Sequence, residues 1–412
     1  MNQRKKAALA VIDKLEDQGF QAYLVGGCVR DECLGKIPKD YDVTTNARPE
    51  QVMAVFERTI PTGLRHGTVT VIEQGVPTEV TTFRKEENYM NHRRPECVRF
   101  IHSLREDLAR RDFTINAMAK DRQGNLIDYF GGQKDLQNGI IRTVGSPTDR
   151  FSEDALRMLR AIRFANQFDF RLDSATAEGI SSHKKVGVYL SVERVTAELE
   201  KMFQSEKVCL GLQLLFQTEL IFFLPPFFRW KLSRTLKNQK IDRGADSAQN
   251  RTVRWAYLLY LCDTNEQNLS VRLNGLKLSR KDRQQISNCF LLAWQWVNFL
   301  PDQADETWCR LLLRHGLETV LQARVLAGFI SGKCQIPSEH QFCAWWKKMP
   351  VHYPTELKIN GHDLIRCCGR PGGAWTGKVL YNLFEQAALG KIPNDKETLL
   401  KEGCKLGALY TK

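Results

Sequence analysis

The chain has 412 residues, of which 42% are hydrophobic and 26% charged, so it is long enough for about two to four globular domains with buried cores. Its 60 Lys and Arg residues exceed its 47 Asp and Glu residues, which gives a formal net charge of +13. No apolar run approaches the roughly 20 residues that a membrane-spanning helix needs, so no membrane is expected. The 12 cysteines contain no C-x-x-C pair, which argues against zinc fingers and a secreted disulfide framework and predicts reduced thiols in the cytoplasm.

The basic excess lies in the second half of the chain. Residues 1–200 contain 30 basic and 29 acidic side chains, whereas residues 201–412 contain 30 basic and 18 acidic ones. A near-neutral first half joined to a basic second half predicts a polyanionic partner that docks mainly on the second half. The alternative is that the excess charge only keeps the surface soluble.

Strand and helix patterns alternate over the first 145 residues. Helical spacing predicts helices at 4–18, 28–35, 49–57 and 104–121. Short apolar or alternating runs predict strands at 22–27, 39–45, 66–75, 76–84, 97–103 and 125–132. The dipeptide Gln74–Gly75 predicts a hairpin turn between two of them. Residues 85–96 are polar and without periodicity, which predicts a loop.

Strand patterns nearly stop after about residue 146. Helices are predicted over 152–168, with Ser152 as the N-cap, and over 191–203, starting from Ser191. The later helical segments are predicted to break at Pro225–Pro226 and within 235–250, 301–306 and 349–361. The predicted fold class is therefore α+β, with an N-terminal head of mixed sheet and helices and an all-helical remainder.

Two aspartates on one predicted strand are the first candidates for chemistry. Asp40 and Asp42 stand two residues apart, so on a strand their carboxylates share a face, where a divalent cation would relieve their repulsion. Spacing alone favours ordinary surface acids. Gly26 and Gly27 shift this balance, because glycines between a strand and a helix let the backbone approach a phosphate, to which Arg30 can add charge-assisted hydrogen bonds.

Several ordered motifs give the sequence a family resemblance. The segments LVGGCVRD (24–31) and KDYDVTT (39–45) resemble the signature of the class II tRNA branch of the nucleotidyltransferase superfamily. That branch contains CCA-adding, A-adding and CC-adding enzymes and bacterial poly(A) polymerases. The match continues in order through 108–119, 128–136, 150–165 and 191–195, and more loosely through 357–375.

The resemblance implies a division of the chain into four parts. These are a palm-like catalytic head over 1–145, a helical neck that selects the nucleotide over 146–205, a helical body over 206–335, and a helical tail that binds tRNA over 336–412. The implied partner is tRNA, bound at its 3′ end and its acceptor and T arms. The sequence carries no signal for the oligomeric state.

The resemblance also implies the catalytic groups. Asp40, Asp42 and Glu79 would hold two Mg²⁺ ions, one lowering the pKa of the attacking 3′-hydroxyl and the other neutralising the leaving pyrophosphate. By spacing alone, Glu79 reads more readily as a surface acid of the hairpin. The triphosphate would be held by the backbone of Gly26 and Gly27 and by the side chain of Arg30.

Residues 108–119 match the ribose-reading motif of the family. It implies that Asp112 accepts hydrogen bonds from the ribose hydroxyls, with Arg111 and Asn116 assisting. Arg110 would support phosphates, although the two arginines could instead pair with nearby acids. Asn116 would lie one helical turn after Asp112, on the same face. Without the neighbouring motifs, charges on a helix surface would be an equally good interpretation.

Residues 153–157 match the nucleotide-templating motif. Asp154 would accept from the amino group of cytosine or adenine, and Arg157 would donate to the adjacent ring nitrogen. An intrahelical ion pair between them is the alternative that their spacing also allows. The resemblance also implies that Arg160 and Arg163 support the phosphates and that Glu193 and Arg194 support the neck.

The most specific function that the resemblance implies is addition of CCA to tRNA 3′ ends from CTP and ATP. CC-adding relatives lack the flexible segment that is present here at 85–94, which favours addition of a terminal A. An A-adding enzyme and a bacterial poly(A) polymerase remain alternatives, as does a catalytically inactive RNA-binding protein. Nucleotide transfer to an antibiotic or a protein would leave the templating motif and the basic second half unexplained.

Overall fold

The computed structural model describes most of the chain, namely residues 2–90, 94–238, 241–299, 304–332 and 335–409. Of these, residues 86–90, 94–98 and 243 are described by their backbone alone. The chain forms two compact units, residues 1–249 with 275–277 and residues 250–274 with 278–412. Within the described ranges, no helix is both long and apolar enough to cross a membrane.

The first unit begins with a mixed sheet. Its strands are β1 Ala22–Val25, β2 Asp42–Thr45, β3 Thr59–Gly63, β4 Thr68–Glu73, β5 Val76–Thr82, β8 Ala119–Lys120 and β9 Leu126–Ile127, in the order β3-β4-β5-β2-β1-β8-β9. The hairpin of β6 Arg84–Met90 and β7 Arg94–Phe100 and the parallel pair of β10 Ile140–Ile141 and β11 Arg171–Leu172 complete the set. Only β2 and β5 run parallel within the mixed sheet; its other neighbours are antiparallel.

Helices cover the sheet and then continue the chain. Those of the first unit are α1 Gln3–Asp17, α2 Gly27–Cys33, α3 Pro49–Val55, α4 Leu104–Ala109, α5 Gly132–Gln137, α6 Pro147–Glu153, α7 Leu156–Phe168, α8 Ser174–His183, α9 Val192–Phe203 and α10 Cys209–Gln217. Short 3₁₀ helices follow at Leu220–Phe223, Phe227–Trp230, Arg234–Asn238 and Arg243–Asp246. The apolar face of α1 is fully buried at Val11, Ile12 and Leu15, which fixes this helix on the sheet.

The regular elements described in the second unit are all helices. Its helices are α11 Arg251–Leu261, α12 Glu266–Gly275, α13 Arg280–Asn298, α14 Asp305–His315, α15 Leu317–Ser331, α16 Glu339–Lys348, α17 Gly361–Cys368, α18 Ala374–Ala388 and α19 Lys396–Leu409. Trp296, Trp308 and Phe342 stack edge-to-face and face-to-face in one core. A second core at the C-terminal end contains Leu364 and Leu383.

The predicted α+β architecture is confirmed, with a mixed-sheet head followed by helices. The predicted β4–β5 hairpin also forms, and Gln74 and Gly75 both take positive φ, 52° and 76°, as a tight turn requires. The predicted boundaries after residues 145, 205 and 335 differ from the border between the compact units at 249–250. The four-part division stays a prediction.

Two predicted elements in the head are wrong. Residues 85–90 and 94–96 are not a loop but belong to the β6–β7 hairpin. Its strands are polar and pair through their backbones, so the sequence shows no apolar alternation that would predict them. Residues 91–93 of the predicted loop lie outside the described ranges. The predicted helix over 104–121 ends at Ala109, because Phe113 is extended and the chain then pairs with β1 through β8.

The predicted helix over 152–168 is two helices. Ser146 caps α6 with its side chain and Pro147 occupies the first turn, so this helix starts before Ser152, which is therefore not an N-cap. Asp154 is extended and interrupts the helical path before α7. Ser191, by contrast, does stand at the N-cap of α9 as predicted.

Candidate active site

Asp42 and Glu79 lie side by side on the two parallel strands of the head. Asp42 opens β2 and is the registered partner of Glu79 on β5. Burial, the negative charge of Glu79 and, more weakly, that of Asp40 raise the pKa of Asp42 to about 6, against the opposing influence of Arg111. Two carboxylates held together in a partly buried place favour a cation between them.

Asp40 does not share the strand of Asp42, which corrects the prediction. The β1–β2 ladder ends with the pair Val25 and Asp42, so Asp40 lies before the strand. Its side chain is 85% exposed, and one carboxylate oxygen is 3.5 Å from Nη1 of Arg4. Over the described part of the chain, no group of three His, Cys, Asp or Glu side chains is already arranged to hold a metal ion.

Gly26 allows an arginine to pass close to the first turn of α2. Its φ of 77° and ψ of −127° fall in a region that essentially only glycine adopts. A Cβ on Gly26 would lie 2.9 Å from Nη1 of Arg111, and a Cβ on Gly27 would lie 3.6 Å from Nη2 of Arg30. The predicted triphosphate glycines are therefore lined by two guanidinium groups.

Arg110 and Arg111 are held by Asp107, a carboxylate outside the predicted site residues. Asp107 is fully buried and accepts two hydrogen bonds from Arg110, at 2.9 and 2.8 Å from Nε and Nη2, while Nη2 of Arg111 is 3.6 Å away. It also accepts from the backbone N–H of Arg84 and the hydroxyl of Thr44. Burial opposes its ionisation, but Arg110 and Arg111 outweigh burial and lower its pKa.

Asp112 is already bonded on both oxygens. One oxygen accepts from Nδ2 of Asn116 at 3.1 Å and from the N–H of Phe113 at 2.8 Å, and the other accepts from Nε and Nη2 of Arg160 at 2.8 and 2.5 Å. Burial acts against the charged form, yet Arg160 and Asn116 lower the pKa of Asp112 to about 2. Asn116 lies in a 3₁₀ turn, not one turn along an α-helix as predicted.

Arg30 connects the glycine turn to this group. Its Nη1 donates to Oδ1 of Asn116 at 2.7 Å, and its Nε and Nη2 donate to Asp31. The guanidinium also lies over the rings of Phe164 and Phe168 of α7, 5.3 and 4.8 Å from their centroids. Arg30 is thus a buried link between the head and α7.

The two predicted base-selecting residues do not form an ion pair with each other. Asp154 accepts from Nη2 of Arg194 at 2.7 Å and from the N–H of Leu156 at 3.1 Å. Arg157 pairs instead with Glu153, and its guanidinium also donates to the carbonyls of Arg110 and Arg150. The intrahelical pair of Asp154 with Arg157, which spacing allowed, is therefore wrong.

A second buried carboxylate holds Arg160 and Arg163 of α7. Glu198 of α9 is 3% exposed and accepts from Nε of Arg163 at 2.6 Å, and one of its oxygens is 4.0 Å from Nη1 of Arg160. Arg163 and Arg160 lower its pKa although burial opposes them. Glu193, predicted to support the neck, is exposed in the first turn of the same helix.

Asp107 and Glu198 were not among the predicted site residues, and the sequence indicates the contacts of only one of them. Asp107 precedes Arg110 and Arg111 by three and four positions, a spacing that indicates ion pairs along a helix. Glu198 lies 35 residues from Arg163, and no local pattern indicates that contact. Both carboxylates act by holding arginines in place.

The fold and this group of residues define a nucleotidyltransferase head followed by helices. The family model described as Poly A polymerase head domain matches residues 22–142. Those described as Probable RNA and SrmB- binding site of polymerase A and as tRNA nucleotidyltransferase domain 2 putative match residues 169–231 and 247–402.

Relatives match along nearly the whole chain. The CCA-adding enzyme of Anoxybacillus flavithermus is 38% identical over 401 residues, which cover 97% of this chain and 96% of the relative. The CCA-adding enzyme of Bacillus cereus is 35% identical over 407 residues, which cover 98% and 100%. This chain therefore belongs to the CCA-adding enzyme family of tRNA nucleotidyltransferases, as the motif resemblance implied.

Solved structures agree with this assignment. The crystal structure of the Bacillus stearothermophilus CCA-adding enzyme in complex with CTP is 32% identical and superposes with a TM-score of 0.82, covering 100% of this chain and 99% of that one. The Thermotoga maritima CCA-adding enzyme complexed with tRNA is 20% identical with a TM-score of 0.67, over 99% and 96% of the two chains, and shares the fold.

Proposed function

We propose that this protein completes tRNA 3′ ends by adding CCA from CTP and ATP, with release of pyrophosphate. The observation that carries the proposal is the registered pair of Asp42 and Glu79, whose repulsion and burial raise the pKa of Asp42 to about 6 beside the Gly26 turn. The full-length similarity to CCA-adding enzymes supports it.

The donor set suits Mg²⁺. Carboxylate oxygens are the ligands that this ion prefers, and a cation would remove the cost of ionising Asp42 next to Glu79. We assign Asp42 and Glu79 as ligands, together with Asp40, whose exposed side chain can turn away from Arg4. When bound, two such ions would activate the 3′-hydroxyl and neutralise the pyrophosphate.

The chain's own residues would hold the nucleotide. The Nε–H of Arg111 is buried without a hydrogen-bond partner, and a triphosphate oxygen would satisfy it beside Gly26. At Asp112 four N–H groups already occupy the oxygens, so a ribose hydroxyl would take the place of one of them. Arg160, whose side chain is 31% exposed, is the donor able to turn away, toward the triphosphate.

Base selection would rest on the fixed positions of Asp154 and Arg157. Cytosine and adenine each present an amino donor next to an unprotonated ring nitrogen, which complements a carboxylate next to a guanidinium. Uracil and guanine present the reverse order, so each mismatched group would stay unpaired at a cost of roughly 1–3 kcal/mol. Arg194 and Glu153, which bond these two side chains, would set their orientation.

Two further features support tRNA as substrate and A as the last nucleotide. The β6–β7 hairpin occupies the position where CC-adding members of the family lack a segment, which favours A addition. The basic residues after position 200 suit the phosphates of a tRNA, and such contacts would make binding strongly salt-dependent.

Transcripts of one tRNA that end before CCA, after C and after CC test the proposal. With Mg²⁺, CTP alone should extend the first two transcripts to CC, ATP alone should extend only the third, and both nucleotides should complete all three. EDTA and Asp42→Asn should abolish extension, whereas Glu106→Gln, which changes an exposed carboxylate on α4, should not.

Sequencing the products separates the alternatives. Extension of only the CC transcript would identify an A-adding enzyme, and long A tracts on unrelated RNA would identify a poly(A) polymerase. Binding of tRNA without extension of any transcript would refute catalysis and leave an RNA-binding protein.

A further inference from the structure

Three cysteine thiols meet between two helices of the second unit. Cys367 and Cys368 end α17, and Cys404 lies on α19. Sγ of Cys404 is 2.6 Å from Sγ of Cys367 and 3.3 Å from Sγ of Cys368. Cys367 is exposed and the other two are half-buried, so reagents in solution can reach the group.

Glycines on both sides of Cys404 bring the helices this close. A Cβ on Gly403 would lie 2.4 Å from Cδ2 of Leu364, and a Cβ on Gly407 would lie 3.4 Å from Sγ of Cys368. The carbonyl of Gly407 also accepts a hydrogen bond from Nη2 of Arg370 at 2.5 Å. The sulfur contact is therefore built into a close helix–helix packing, with Leu364 fully buried beneath it.

The short contact favours a covalent bond over a metal site. Zinc binds thiolates at about 2.3 Å in a tetrahedral arrangement, which would separate two sulfurs by about 3.8 Å. Cys367 and Cys404 are closer than that, at 2.6 Å, and no metal-binding group of three side chains is found among the described residues. A disulfide requires the sulfurs to approach only slightly further, to about 2.05 Å.

We propose that Cys367, Cys368 and Cys404 form an oxidation-sensitive site, at which a peroxide converts Cys367 and Cys404 into a disulfide. The exposed Cys367 thiolate attacks the peroxide, becomes a sulfenic acid and releases hydroxide. The sulfur of Cys404 then displaces the hydroxyl group, which leaves as water with the Cys404 proton. Two thiols thus lose two electrons and two protons, and one hydrogen peroxide becomes two waters.

The roles of the three sulfurs differ. Partial burial and the two neighbouring thiols raise the pKa of Cys404 to about 12, so Cys404 stays protonated at neutral pH and is the resolving group instead of the first to react. Cys368 contacts Cys404 and can attack the new disulfide at that sulfur, which releases Cys367. The bond would join α17 to α19 in either pairing.

Peptide mapping of the full chain tests the site. Wild-type protein is treated with hydrogen peroxide, remaining thiols are alkylated, and the digest is analysed by mass spectrometry without reduction. We expect a peptide pair linked between Cys367 and Cys404, lighter by two hydrogen atoms than its separate parts. In Cys367→Ser the link should form between Cys368 and Cys404 instead. In Cys404→Ser the amount of linked peptide should be no higher than in an untreated sample.

Cys33→Ser provides a matched control, because Cys33 is an exposed thiol on α2 and its removal should leave the link unchanged. The thermal unfolding midpoint gives an independent reading: peroxide should raise it for wild type and not for Cys404→Ser. Absence of the linked peptide, links scattered over unrelated cysteines, or zinc that stays bound through desalting would each overturn the proposal.

Discussion

The replacement of Asp42 by asparagine should stabilise the protein while abolishing its activity. Burial and Glu79 raise the pKa of Asp42 from 3.8 to about 6. Each pKa unit corresponds to about 1.4 kcal/mol, so ionised Asp42 destabilises the folded protein by about 3 kcal/mol at neutral pH. Asparagine keeps the shape of the side chain without its charge and removes that penalty.

The sign of the effect depends on pH. Between about pH 4 and 6 folded Asp42 binds more protons than unfolded Asp42, so the free energy of unfolding of wild type falls as the pH rises through that interval. Asp42→Asn and wild type should therefore have similar stability at pH 4, and the variant should be more stable by about 3 kcal/mol at pH 7. Urea unfolding at both pH values measures the difference.

Two comparisons make this prediction specific. Asp40→Asn changes a carboxylate that is 85% exposed, so it should remove activity with little change in stability. Added Mg²⁺ should stabilise wild type more than Asp42→Asn, since only wild type retains the ionised pair. An Asp42→Asn protein no more stable than wild type at pH 7, or equally more stable at both pH values, would refute the reasoning.

Three further substitutions test the groups that surround the acids. Asp107→Asn removes the buried charge that compensates two half-buried arginines and should lower the free energy of unfolding by about 3 kcal/mol in urea, against a small change for Glu106→Gln on the same helix. Arg194→Ala should free the Asp154 carboxylate, so UTP and GTP incorporation should rise relative to CTP and ATP in single-nucleotide assays. Gly26→Ala places a methyl group against a guanidinium at a positive φ, and should lower the extension rate while circular dichroism stays that of wild type.

Local chemistry made part of the fold predictable. The Gln74–Gly75 turn and the helix opened by Pro49 depend on neighbouring residues, and the structure has both. The break at Asp154 was missed, because the short capped helix that starts at Pro147 has no hydrophobic period to detect. The β6–β7 hairpin was missed for the same reason, since its paired strands are polar.

The family motifs indicated the candidate site, and residue spacing did not. The resemblance implied that Glu79 joins Asp42 at a metal site, whereas spacing alone favoured a surface acid, because their contact comes from parallel pairing of strands 37 residues apart and depends on the strand order of the whole sheet. The partner of Asp154 is likewise 40 residues away at Arg194. Such contacts arise from tertiary packing, which the spacing of residues along the chain does not encode.

The link that buried Arg30 makes between Asn116 of the head and the rings of Phe164 and Phe168 of α7 has a consequence for fidelity and affinity. It joins the part that would grip the sugar to the part that would read the base, so the distance between these two tasks does not depend on the helices beyond α10. Damage to the C-terminal helices should therefore weaken retention of the RNA and leave the preference among nucleotides intact. Errors in the added sequence should instead come from changes along α7 and α9.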